Sequence, residues 1–121
     1  MTVLADNDLV YRSLLRQQWI NEDTGKVKRD AYYLRLNRNE VGLSVNLASA
    51  CAPEDCAARF KVCYGVVALR VGDVRQLGLD AVQDSWVHAN ILGLPYREND
   101  RLSADRLARL LAGLSEIVWQ P

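Results

Sequence analysis

His88 is the only histidine in the chain. It stands in Val87-His88-Ala89-Asn90-Ile91-Leu92-Gly93, an apolar stretch that reads as a buried strand. Imidazole is the side chain that ordinarily titrates near neutral pH. Asn90, two residues on, lies on the same side of that strand, because side chains alternate across a strand. His88 is therefore the candidate catalytic acid or base. The alternative is a structural histidine, locked to a backbone carbonyl or to Asn90. A single histidine excludes a two-histidine ribonuclease mechanism. A Ser-His-Asp arrangement would need Ser44, His88 and an acid such as Asp80 or Asp84, and no G-x-S-x-G elbow accompanies it. Cys56 or Cys63 paired with His88 likewise lacks a local thiol-hydrolase signature.

Six further groups lie on the polar sides of their predicted strands. They are Arg12 on the first, Tyr33 and Arg35 on one arm of a hairpin, Ser44 and Asn46 on the other, and Asn90 beside His88. If the strands share one sheet with matching polarity, all seven share a surface. Arginine fixes phosphate or carboxylate by charge-assisted paired bonds, and Ser and Asn add directional ones. Tyr33 offers a stacking face. The alternative is a sheet face that is merely solvated, although such faces usually carry Lys and Glu, absent from this set. The expectation is a site for a nucleotide or other anionic small ligand, or for an acidic partner segment, with no cofactor.

The elements that must position these groups are read from periodicity. Residues 8–15 suit either a helix or a short strand; the turn Asn21-Glu22-Asp23-Thr24-Gly25 soon breaks a helix and favours the strand. Residues 30–37 and 41–48 read as a hairpin around Arg38-Asn39-Glu40. In the second arm Val41, Leu43, Val45 and Leu47 alternate with smaller or polar residues. Pro53, with Glu54 and Asp55, opens a short helix reaching about Phe60. Residues 62–71 form a nearly apolar strand, as if covered on both faces. Asp73 caps a turn of helix ended by Gly78. Residues 79–82 and 87–92 are two more strands, and 94–101 a surface loop. The final helix has Ser103 as N-cap, Leu102 and Leu107 as a hydrophobic staple, and the stripe Leu107, Leu110, Leu111, Leu114. The sum is one α+β domain over residues 1–121, with residues 1–7 loosely held. It has a mostly antiparallel sheet of five or six strands and two or three helices, including a C-terminal amphipathic one.

Bulk properties bound the partners. Of 121 residues, 15 are basic and 15 acidic, giving zero formal net charge. That argues against broad electrostatic capture of nucleic acid or anionic membrane, while leaving room for a local basic patch. The basic set is 12 Arg and 3 Lys; codon bias explains this as readily as selection for bidentate anion contacts. The spacing of Cys51, Cys56 and Cys63 lacks the tight C-x2-C knuckle of strong zinc sites, so no metal is expected. The odd count and the absence of a leader-like start argue against a disulfide framework, and the protein is expected in the cytoplasm. No apolar run approaches the ~20 residues of a membrane helix. Trp19, Trp86 and Trp119 are widely spaced; the apolar end around Trp119 needs a cover, from its own domain or from a protein partner or second copy.

Val10-Tyr11-Arg12-Ser13-Leu14, Leu43-Ser44-Val45 and His88-Ala89-Asn90-Ile91-Leu92-Gly93 together resemble a pattern in short bacterial proteins of unassigned function. The resemblance spans about residues 10–93, implies Arg12, Ser44 and His88 as matched positions, and implies no activity. Arg12 and Ser44 also resemble the early-strand Arg and later-strand Ser of ADP-ribosyltransferase-like toxins. The late-strand catalytic Glu of those enzymes has no clear counterpart here.

Three functions are compatible with these residues. The leading one is a small binding or regulatory domain, of a defence- or toxin-system kind, holding an anionic ligand on the sheet face. The second is an enzyme acting on a nucleotide, NAD or an RNA phosphodiester, with His88 moving the proton and Arg12 clamping phosphate. The third is a structural homo-oligomer or antitoxin-like partner protein.

Overall fold

The computed structural model describes residues 3–121. Six strands form one sheet, antiparallel throughout: β1 (Leu9–Leu14), β2 (Gly42–Leu47), β3 (Gly65–Arg70), β4 (Asp80–Gln83), β5 (His88–Leu92) and β6 (Glu116–Trp119), in the order β4-β5-β2-β1-β3-β6. Three helices complete the α+β fold: α1 (Pro53–Ala58), α2 (Val71–Gln76) and α3 (Arg101–Leu114). No helix among the described residues is long and apolar enough to cross a membrane.

The strand alternation decides which face packs. Val10 and Leu14, Leu43, Val45 and Leu47, Val67 and Leu69, and Ala89 and Ile91 point to one side. There they meet Leu107, Ala108 and Leu111 of α3, Val71 and Val74 of α2, and Ala31, Tyr32 and Leu34 of the chain before β2. On the other side α1 covers only one end, over β1, β3 and β6, where Cys56, Ala57, Val66 and Ala68 are buried. This double cover explains the unbroken apolar run of β3. The rest of that second side, over β2, β5 and β4, is left open, with Ser44 and Val82 exposed.

Several expectations are corrected. Residues 30–37 are no strand. They form two 3-10 turns, Arg29–Tyr32 and Leu36–Arg38, because Ala31 and Tyr32 are buried beneath α3 rather than in a ladder. Residues 3–7 are held rather than loose: Leu4 joins the core, the Asp6 carbonyl accepts from Arg70 and Gly72, and the Asp6 carboxylate meets Arg75 at 2.6 Å. Residues 1–2 of that expected loose segment lie outside the described residues. The N-cap of α3 is Asp100, whose side chain accepts from the Ser103 amide, and Leu102 is 86% exposed, so no staple forms. Cys51 and Cys56 form a disulfide across the start of α1, their Cα atoms 6.4 Å apart, leaving Cys63 as the free thiol. The expectation against a disulfide framework is corrected to this extent: an odd count leaves one cysteine over but does not prevent one local bridge. The C-terminal apolar run becomes edge strand β6, whose Trp119 pairs with Val66 and whose Ile117 packs on the core, so the chain itself supplies much of its cover.

Asp105 ties α3 to the segments around it. Its Oδ1 accepts from Arg97 Nε at 2.8 Å and from the Tyr33 hydroxyl at 2.7 Å, with the Arg97 guanidinium stacked over the Tyr33 ring. The bond from Arg97, then that from Tyr33, pushes the Asp105 carboxyl from 3.8 down to about 2. A depressed carboxylate stabilises the fold above its unfolded value, and that contribution is lost as pH falls through the folded value. The melting temperature is therefore expected to drop between pH 3.8 and about 2, and to drop less in Asp105→Asn. Thermal melts across that range check it; equal slopes for both proteins would refute it.

Candidate functional site

The sheet has a seam. β1 pairs with β3 over six residues but with β2 over two only, Val10 with Leu47 and Tyr11 with Asn46. Beyond these pairs β1 and β2 part, and Arg12 fills the gap. Its Nε donates to the Ala31 carbonyl at 2.6 Å and its Nη1 to the Ser44 carbonyl at 3.0 Å. The latter is a main-chain acceptor that lost its strand partner where the ladder stopped. Trp19 and Tyr32 face the guanidinium with ring centres 5.6 and 5.9 Å away, a favourable placement for a desolvated cation. Burial lowers the Arg12 pKa, while Tyr32 and Glu40 act in the opposite direction; an arginine still keeps its charge. Among the described residues no carboxylate forms an ion pair with Arg12.

The seam opens into a cleft of about 670 Å³ whose lining includes Arg12, Tyr33, Arg35, Ser44, Asn46 and His88. Ser13 also lines it, and the Ser13 hydroxyl is buried without a hydrogen-bond partner among the described residues. Four arginines (Arg12, Arg16, Arg35 and Arg59) face two acids (Asp30 and Glu40) there. Arg35 and Glu40 cancel: Glu40 accepts from the Arg35 backbone amide at 2.7 Å and from its side chain at 3.0 and 3.1 Å. That pairing lowers the Glu40 pKa and raises that of Arg35. The cleft is thus left with a surplus of positive charge.

On the open sheet face Asn46 stands opposite His88, and Ser44 opposite Asn90. Gly42 allows this close pairing, since a Cβ there would lie 2.9 Å from the Asn90 Cβ and 2.8 Å from Leu92. Asp84, in the turn before β5, organises the pair. Its Oδ1 lies 2.7 Å from His88 Nδ1 and its Oδ2 accepts from Asn90 Nδ2 at 2.8 Å. The His88 bond is the main cause lowering the Asp84 pKa. A carboxylate on Nδ1 fixes the tautomer, so the neutral ring carries its proton there and Nε2 is the acceptor. This is the carboxylate–histidine half of a general-base arrangement.

Six of the seven residues singled out by sequence thus line one cleft, and Asn90 joins through Asp84. Their environments differ from the expectation in three ways. Arg12 lies on the core side with Val10 and Leu14, not on the polar side, because β1 alternates and the split from β2 makes room for it. Tyr33 and Arg35 come from non-strand chain and are bonded to Asp105 and Glu40. The acids thought absent arrive from turns, as Asp84 and Glu40. Arg12 and Ser44, the pair in the toxin resemblance, do touch, but through the Ser44 main chain. Sequence reading passed over Ser13, Arg16, Trp19 and Arg59 as site residues; Ser13, adjacent to Arg12, is the one its alternation could have offered. No group of three metal-binding side chains comes together among the described residues. Comparison with family models, curated proteins and solved structures finds no match to the chain.

Proposed function

We propose that the chain is a small binding domain whose cleft takes an anionic ligand bearing a planar ring, of the nucleotide class. The observation that supports this most is Arg12: a guanidinium half-buried in a sheet seam, ion-paired to no carboxylate among the described residues, opening on a cleft that also holds an orphan hydroxyl. Burying a charge is costly unless it is paired. Carbonyls and ring faces compensate Arg12 in part; a phosphate would complete it by charge-assisted bonds. Trp19 and Tyr33 supply ring faces beside that position.

The lone histidine makes the test direct. On adding AMP, the His88 ring-proton NMR signals are expected to shift saturably, and Arg16→Ala/Arg59→Ala is expected to weaken the response while leaving the melting temperature nearly unchanged. Absence of any shift with AMP, NAD and inorganic phosphate would overturn the reading. The Asp84–His88 pair favours a second reading, hydrolysis of a bound phosphodiester. There His88 Nε2 would take the proton of the attacking water and later return it to the leaving alkoxide. Turnover abolished by His88→Gln, at unchanged melting temperature, distinguishes enzyme from binding domain.

A further inference from the structure

Most of the basic residues without an ion pair share one region. Arg35, Arg70, Arg75, Arg97 and Arg101 hold ion pairs among the described residues. Arg16, Lys26, Lys28, Arg29, Arg59 and Arg109 hold none and line three adjoining hollows, while Arg38, Lys61 and Arg106, also without ion pairs among the described residues, lie outside those hollows. The first is the Arg12 cleft. The second, about 790 Å³, shares Leu15 and Arg16 with the cleft and continues to Asn21 and Lys28. The third, about 710 Å³, shares Asn21 and Lys28 with the second and extends past Lys26 and Arg29 to Arg109. Ring faces accompany the first two: Trp19 and Phe60 in the cleft, Tyr64 in its neighbour.

We infer that the three hollows form one track for a single-stranded nucleic acid. Its phosphates lie along the unpaired cations and its bases stack on the rings. This rests on the cleft reading for one nucleotide and adds flanking phosphates to it. A charged groove with interleaved aromatic rings is the arrangement that holds single strands without reading sequence. An acidic peptide would use the cations but gain nothing from the rings. A duplex needs a projecting helix or ribbon to enter its groove, whereas these features are recesses. Glu22, Asp23, Asp30 and Glu116 also line the track, so the charge surplus is moderate and binding is salt-sensitive. Six phosphate contacts to a single strand give a slope of about −4 in log K against log salt.

The test uses fluorescence anisotropy of the full chain with dye-labelled oligo(U) and oligo(dT) of about twelve nucleotides, within the usual single-strand site sizes. Lys26→Glu/Lys28→Glu/Arg109→Glu changes only exposed side chains far along the track from the cleft. It is expected to weaken the strand at least about tenfold, to flatten the salt slope, and to leave the AMP response of His88 unchanged. Circular dichroism verifies its fold. No strand binding, or binding indifferent to the charge reversal, overturns the inference. So does equal competition by polyglutamate, which would make the surface a docking site for acidic peptide. Strand binding that the triple variant loses, without any AMP response, supports the track and refutes the mononucleotide cleft.

Discussion

Arg12→Ala is expected to lose about 3 kcal/mol of folding stability, from two charge-assisted bonds at typical net strengths. The loss falls on the seam, where β1 and β2 have no ladder to hold them and the guanidinium spans from the Ala31 carbonyl to the Ser44 carbonyl. Removing it strands both acceptors and leaves the Trp19 and Tyr32 rings facing a void. In a chain of this size the melting temperature falls by about 10 °C. Arg12→Met separates packing from charge. It keeps most of the side-chain length, loses both bonds and spares the burial of a cation, so it falls between wild type and alanine. Calorimetry on the three proteins decides. If Arg12→Ala melts with the wild type, Arg12 does not hold the seam. If Arg12→Met matches wild-type stability yet no longer responds to AMP, the half-buried charge is kept for a ligand rather than for the fold.

Local periodicity made legible what local packing decides. The alternation of β2, the apolar run of β3 and the stripe of α3 each appear in the structure near their expected places, because one face of each element meets a continuous core. The same alternation placed Ser44 and Asn46 on one side of β2 and His88 and Asn90 on one side of β5, and register then set them opposite each other. Residues 30–37 were not legible. Their pattern suits a strand, but Arg12 captures the Ala31 carbonyl, the Tyr32 hydroxyl meets Ser115 and Glu40 gathers the Arg35 amide. The Ala31 and Tyr32 contacts reach across more than fifteen residues and leave no local trace. Asp84 was visible only as one possible acid, since a turn residue shows its direction only after the turn is built. Arg12 was misplaced for a different reason: a charged residue between Val10 and Leu14 was assigned by its polarity, although period-two spacing puts it on their side. The exception to binary patterning falls in the candidate cleft, and such local exceptions are characteristic of functional or strained positions.

Leu111→Ala is expected to cost about 3 kcal/mol, as deletion of a fully enclosed leucine typically does. Leu111 is wholly buried and sits with Leu107 and Ala108 on the side of α3 that meets the sheet. Leu114 belongs to the same sequence stripe but is 41% exposed at the helix end, so Leu114→Ala should cost less than about 1 kcal/mol. Urea unfolding of both variants, at unchanged m-value, measures the difference. Near-equal losses would mean that α3 docks along the whole stripe rather than through its first three turns. The consequence reaches the site. α3 packs on the Arg29–Tyr32 turn, and that turn presents the Ala31 carbonyl to Arg12. A cavity at Leu111 loosens the support behind that carbonyl without touching the cleft. The AMP response of His88 should therefore weaken in Leu111→Ala and persist in Leu114→Ala. The core leucine and the seam arginine are then coupled, and Leu111→Ala/Arg12→Ala should be less destabilised than the two single losses added together.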